Sequence, residues 1–269
     1  MPRTKQICLC FLMSIGVQAR GFSQDTLNIL YYPSAKEFTE TVHASARLSG
    51  DSLAYAYTVE NSINSLQSVY LFDVSISSTV KSTGTPKEWG VRVGEGILAI
   101  PRVMWSSSDS INNIAPGTTL GGFTFSSKGL PSIKSYYAMA FVLPPVVEVE
   151  PDSIVGGGGF LKRSKIGRTL APTDPPNPFI PLAFLDTLIS YKHQAFALGW
   201  IKNQGIANSL NQKLENARRQ LERGNKTPAR NMLRAFVNEV EALNKQGKQL
   251  TSEAYALLKF NAEYLIGKL

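Results

Sequence analysis

Two histidines, twenty carboxylates and two cysteines are the groups from which this 269-residue chain would have to assemble a reaction centre. A serine triad or a histidine metal cluster needs a histidine that meets partners from other segments. His43 sits at an outward position of an alternating segment, between Val42 and Ala44, and His193 lies between Lys192 and Gln194 in a helical stretch. No H-E-x-x-H, G-x-S-x-G or S-x-x-K with its companion motifs accompanies them. Asp51, Glu60, Asp73, Glu88, Glu95 and Asp109 share one region. A glycosidase would need two of them roughly 5–10 Å apart across a cleft, and nothing in their spacing selects a pair. A calcium loop at Asp109 would require a run of spaced carboxylates, which is absent. The glycines at 156–159 lack the Lys-Ser/Thr of a phosphate loop. The sequence therefore predicts no catalytic residues, no cofactor and no metal.

Binding chemistry is better represented. Trp89 and Trp105, with Tyr55, Tyr57, Tyr70, Tyr136 and Tyr137, would stack on sugar rings or a peptide if they faced outward, and would fill a β-core if they faced inward. Lys213, Arg218, Arg219, Arg223, Lys226, Arg230 and Arg234 bracket a single helix–helix turn and form a candidate anion-binding patch. Charge is distributed to match. Residues 20–159 carry 9 basic and 12 acidic groups, whereas residues 160–269 carry 17 basic and 8 acidic groups within an overall net charge of +8.

The elements that must position these groups change period part-way along the chain. From about residue 38 to 143 the period is two: Val42, Ala44, Ala46 and Leu48 alternate with polar residues, Ser49-Gly50-Asp51 turns the chain, and Leu53, Tyr55, Tyr57 and Val59 return. Further strands are predicted over 69–76, 90–93, 97–100, 103–106, 120–126 and 135–143. Short strands without intervening helices predict an antiparallel β-sandwich over residues 25–150. Residues 151–179, rich in glycine and proline, read as a linker.

After the linker the period becomes helical, predicting a small all-α four-helix module over 180–269. Pro181 opens the first helix and Gly199 stops it; the second begins near Asn208 or Ser209 and stops at Gly224. Thr227 and Pro228 read as cap and first position of the third, Gly247 as its stop, and Thr251 as the cap of the fourth. The fold class is thus α+β and multidomain.

The first 19 residues read as a signal peptide: Arg3 and Lys5, then an apolar run at 7–17, then Val17-Gln18-Ala19 with cleavage after Ala19. That run is shorter than the ~20 residues a membrane span needs. Cys8 and Cys10 both fall within it, so the mature chain would hold no thiol, disulfide or transmembrane segment. A secreted, periplasmic or cell-surface location follows as the expectation.

The run Gly199-Trp200-Ile201-x-Asn203-x-Gly205-Ile206-x-Asn208-Ser209-Leu210-x-x-Lys213-Leu214-x-x-Ala217, with Gly224-Asn225 and Ala235-Phe236-Val237-Asn238-x-Val240, resembles the FIMAH-type helical domain over residues 180–268. The resemblance implies the C-terminus of a secreted bacterial protein and transfers no catalytic residue. The preceding region loosely resembles uncharacterised exported bacterial β-sandwich domains, through Tyr-x-Tyr-x-Val-x-Asn at 55–61 and Ile-Ala-Pro-Gly at 114–117. Together these readings predict a secreted, non-catalytic binding or adhesion protein. Its expected partner is a cell-envelope polysaccharide or other anionic polymer, or a protein, and not nucleic acid. The alternatives are a glycosidase-like secreted hydrolase with unidentified carboxylates and a purely structural surface protein.

Overall fold

The structure is a computed structural model that describes residues 7–8, 30–31, 36–95, 99–142, 164–245, 247 and 249–269. The signal peptide with its cleavage point, the glycine run at 156–159, and Ile97 and Leu98 of one expected strand lie outside the described residues, apart from a short antiparallel pairing of Ile7–Cys8 with Leu30–Tyr31.

Among the described residues, nine strands build the sandwich: β1 (Glu40–Ser49), β2 (Ser52–Asn61), β3 (Val69–Ser75), β4 (Val80–Gly84), β5 (Trp89–Glu95), β6 (Pro101–Ser107), β7 (Thr119–Ser127), β8 (Leu130–Ala140) and β9 (Lys165–Thr173). They form two antiparallel sheets, one ordered β9-β8-β3-β6-β5 and the other β1-β2-β7-β4. Alternation decides which side chains face inward. Tyr55, Tyr57 and Val59 of β2 pack with Phe72 and Val74 of β3, Trp105 of β6, and Phe123 and Phe125 of β7, all buried. Trp105 lies against Phe72 with ring centroids 5.7 Å apart, and Trp89 meets Phe123 edge-on at 5.1 Å.

The polar tips of these aromatics are bonded inside the core. Tyr55 donates to the Gly129 carbonyl and Tyr57 to the Leu170 carbonyl, each at 2.8 Å. The two signatures singled out in the sequence meet directly. Asn61, fully buried at the end of β2, donates through Nδ2 to the Ile114 carbonyl at 2.8 Å and accepts from the Gly117 N–H through its own carbonyl at 2.8 Å. Ala115-Pro116-Gly117-Thr118 is a turn closed by Thr118 N–H to the Ala115 carbonyl, and Gly117 takes the positive φ of 78° that its third position requires. Gly122, at φ 97°, is the extra residue where the β2–β7 register shifts.

One boundary is corrected. Part of the stretch read as a linker is a strand: Lys165–Thr173 pairs with β8 along its length, from Leu130↔Thr173 to Ala138↔Lys165. The proline that argued against a strand, Pro172, stands on the edge of the sheet, where a missing N–H breaks no ladder bond. Gly167 is there because Tyr136 lies across it; a Cβ would come within 2.3 Å of that ring. The connection to the helices is accordingly short, residues 174–180. Val80–Gly84 is also a strand that the alternation did not reveal, with three of its five residues exposed.

Four helices follow: α1 (Pro181–Ala197), α2 (Gln204–Glu222), α3 (Lys226–Lys245) and α4 (Ser252–Lys268). Gly199, Gly224 and Gly247 take positive φ at the three ends, and Thr251 caps α4 by accepting from the Ala254 N–H. Two starts differ from expectation. Asn203 caps α2, its Oδ1 accepting from Gly205 at 2.7 Å, so the helix opens one turn earlier. The third helix opens at Lys226, with the Ala229 N–H bonded to the Asn225 carbonyl, which places Thr227 and Pro228 inside the first turn. Among the described residues no helix is long and apolar enough to cross a membrane.

The helices pack in a ring, α1 beside α2 and α4, and α3 beside α2 and α4. Among the described residues, only α4 docks extensively on the sandwich, against β1, β8 and β9. Being enclosed on both sides, α4 is apolar nearly all round: Ala254, Ala256, Leu257, Leu258, Ala262 and Leu265 are completely buried. Its first turn completes the open edge of β1. Ser252 Oγ donates to the Ala44 carbonyl at 2.8 Å, and the Glu253 carboxylate accepts the Ala44 N–H. Further along, Asn261 Nδ2 donates to the Pro131 carbonyl at 2.8 Å.

Replacing Glu253 by Ala leaves the Ala44 N–H buried without an acceptor, and is expected to cost about 1–3 kcal/mol. Glu253→Gln, which keeps an acceptor oxygen, loses less. Denaturant unfolding of the two variants checks this; equal stability of Glu253→Ala and the parent would contradict the docking contact.

Candidate functional site

The two tryptophans proposed as a stacking platform are core residues. Trp105 is fully buried and its Nε1 donates to the Gly84 carbonyl at 3.0 Å; Trp89 is 5% exposed and its Nε1 donates to the Asn112 carbonyl at 2.9 Å. Tyr55 and Tyr57 are buried with them. Period two cannot say which face of a strand is inside, and these rings were needed to fill the space between the sheets.

The carboxylates are engaged in separate places. Asp51 is exposed at the β1–β2 turn, where Lys81 and Lys128 each approach to 2.8 Å and hold it well below the usual carboxylate range. Asp109 caps a short 3-10 turn, Ser110–Asn112, by accepting from the Ile111 N–H. Asp73 is buried on the outward side of β3, with Arg102 Nη1 2.9 Å away and the Arg102 guanidinium 4.3 Å from the Tyr137 ring centroid. His43 and His193 are both exposed, one on β1 and one on α1. Among the described residues, no group of three or more His, Cys, Asp or Glu is placed to hold a metal ion.

Burial pushes the Asp73 carboxyl up to about 6, against the lowering influence of Arg102. A carboxyl raised on folding favours the protonated native state. Its contribution is therefore complete below the ordinary carboxylate value and is lost as pH rises toward 6. Denaturant unfolding followed from pH 4 to 7 should show a downward component that Asp73→Asn removes. A parent profile that rises through this window, or one unchanged in the variant, would contradict the assignment.

The seven cations singled out in the helical unit are not one patch. Two are neutralised: Lys213 by Glu239 of α3 at 2.7 Å, and Arg218 by Asp186 of α1 at 2.7 Å and Glu222 at 3.1 Å. Among the described residues, no carboxylate lies within ion-pair distance of Arg219, Arg223, Lys226, Arg230 or Arg234. Helical phase separates these five. Arg219 and Arg223 fall opposite the buried line Leu210, Leu214 and Ala217, on the outer side of α2. Lys226, Arg230 and Arg234 follow one another at four-residue intervals along α3. They share the flank of Glu241, which bonds Lys259 of α4, whereas Glu239 on the other flank reaches back to α2. Neither α2 nor α3 shares the extensive docking of α4 on the sandwich.

One cation was not singled out in the sequence. Lys192, on the inward side of α1, is 3% exposed, with Nζ 3.1 Å from Nδ1 of His193. Burial lowers its ammonium below the ordinary lysine value, partly offset by Glu215. Its four-residue step from Leu188 was the available signal.

Residues 187–267 match the FIMAH domain. The matched segment runs from within α1 to the last turn of α4. No curated protein matched the chain. Among solved structures, it is similar to an uncharacterised protein from Nocardia farcinica with an immunoglobulin-like fold, at 13% identity and a TM-score of 0.29, over 49% of this chain and 97% of that one. It is also similar to a cohesin module from a Clostridium perfringens family 33 glycoside hydrolase, at 11% identity and a TM-score of 0.30, over 53% of this chain and 98% of that one.

Proposed function

We propose that this protein is a non-catalytic binding protein of the bacterial exterior, in which the sandwich holds the FIMAH-matching helices and those helices meet an anionic envelope polymer. The observation that carries the reading is the uneven neutralisation of the basic residues. Where α2 faces α1 and α3, its cations have carboxylate partners; at the free side and along α3, Arg219, Arg223, Lys226, Arg230 and Arg234 have none. Lys226 and Arg230 also stand in the first turns of α3, which contain no acidic residue and where the helix dipole disfavours positive charge. Cations kept at such positions cost stability unless an external anion offsets them.

The burial of the aromatic rings supports a mounting role for the sandwich over a stacking one. The C-terminal FIMAH match supports a bacterial exterior setting, since domains of that kind occur in secreted bacterial proteins.

Binding of the full chain to an immobilised anionic wall polymer, followed from 50 to 500 mM NaCl, tests this. Affinity is expected to fall steeply as the Debye length contracts from roughly 14 Å to about 4 Å. Arg219→Glu with Arg223→Glu, and separately Arg230→Glu with Arg234→Glu, should each weaken it. Salt-independent binding, or turnover of the polymer by the parent protein, would overturn the reading.

A further inference from the structure

The arrangement of Lys226, Arg230 and Arg234 says more than that an anion is wanted. An α-helix rises 1.5 Å per residue, so cations four apart follow each other at roughly 6 Å, and three of them span about 12 Å. They stand in single file. On one side is the buried line Ala229, Leu233 and Phe236; on the other stand the exposed, uncharged Asn231, Ala235, Asn238 and Ala242, with no further exposed charge until Lys245 in the last turn. A compact anion would engage one member of such a file, and a broad anionic surface would find neutral side chains across most of this helix.

We propose, resting on the anionic-polymer reading above, that the file binds an extended, flexible polyol phosphate chain, one phosphodiester per cation. Three features select this chemistry. The first is spacing: a phosphodiester polymer with a short polyol bridge separates its charges by several single bonds, on the scale of the 6 Å step, whereas the charges of condensed polyphosphate abut. The second is direction. A four-residue step turns about 40° around the helix, because four residues at 3.6 per turn exceed one full turn. A chain that follows the file must therefore bend continuously, which an acyclic polyol does and a stiff polysaccharide resists. The third is the lack of a stacking platform. The α2 sequence contains no aromatic residue, and the single aromatic of α3, Phe236, is fully buried. Pyranose rings and nucleobases would both lack a face to rest on. Two of the three cations are arginines, whose planar fork matches the paired non-bridging oxygens of a phosphodiester.

The test uses the full chain and four probes at fixed ionic strength: glycerol phosphate oligomers of 2, 4 and 8 phosphates, polygalacturonate, inorganic polyphosphate, and oligothymidylate of matched charge. Affinity for the glycerol phosphate series should climb from 2 to 4 phosphates and then level off, and exceed that for the other probes. Arg230→Gln with Arg234→Gln should reduce it roughly tenfold. Arg219→Gln with Arg223→Gln, which removes the same charge from the outer side of α2, should reduce it by less than half as many fold. Circular dichroism of both variants verifies that the helices persist.

Equal losses from the two pairs, no dependence on oligomer length, or preference for polygalacturonate, polyphosphate or oligothymidylate would overturn the polyol phosphate assignment while leaving anion binding intact. Absence of binding to every probe would remove both.

Discussion

The edge of β1 sets the terms for the rest of the molecule. A strand at the margin of a sheet carries N–H and C=O groups with no ladder partner, and where such an edge is covered by protein those groups must be bonded by whatever covers them. Helix α4 does this at Ala44 with two consecutive side chains, the Ser252 hydroxyl donating to the carbonyl and the Glu253 carboxylate accepting from the N–H. The carboxylate is tolerable when 97% buried because it sits in the first turn of a helix, where free N–H groups and the dipole favour negative charge. The same turn that starts α4 therefore terminates the sheet. This contact is a second attachment of the helices to the sandwich besides the connection at 174–180, and the apolar surface of α4 becomes part of one continuous core with the sandwich.

This arrangement fixes which surfaces are free. With α4 committed to β1, β8 and β9, and α1 and α3 flanking it, α2 lies diagonally across the bundle and faces away from the sheets. Inside the sandwich a comparable commitment is made by the rings. Tyr57, Phe72, Trp105, Phe123 and Phe125 lie within 5.2–6.2 Å of at least one other ring centroid, and their hydroxyl and indole donors close on backbone carbonyls. The aromatic residues that a sequence offers to sugar chemistry are used here to fill a space roughly 10 Å deep between sheets.

How much of this could be read in advance depends on the range of the interaction responsible. Helix ends were legible because Gly199, Gly224, Gly247 and Thr251 act within a few residues of themselves. The sandwich was legible because alternation persists across most strands. Lys165–Thr173 was not, since its strand character comes from pairing with β8 and its proline is harmless only at an edge, a fact about neighbours. Asn203 does not stand out as a cap in the sequence because the apolar line it introduces begins only at Ile206 and Ala207. The basic residues illustrate the same limit. Their clustering around Gly224 is visible in the sequence, but the partners that silence two of them, Glu239 for Lys213 and Asp186 for Arg218, come from other helices.

Neutralisation by neighbouring helices also explains why the surviving cations are where they are. A bundle interior gains nothing from unpaired charge, so a basic residue that faces another helix is either matched, as Lys259 is by Glu241 and Glu263, or buried with its ammonium weakened, as Lys192 is. Residues on the outward side of α2, and the exposed Lys226 and Arg234 of α3, escape that pressure, and solubility alone would be met by charges of either sign there. Yet Arg219, Arg223, Lys226, Arg230 and Arg234 are all of one sign, and repel one another across the turn at Gly224. Helix stability would be better served by acidic residues in the first turn of α3. A one-sided choice against the helix's own preference, at the end of the unit that packing leaves open, is the feature on which the proposal of an anionic partner rests.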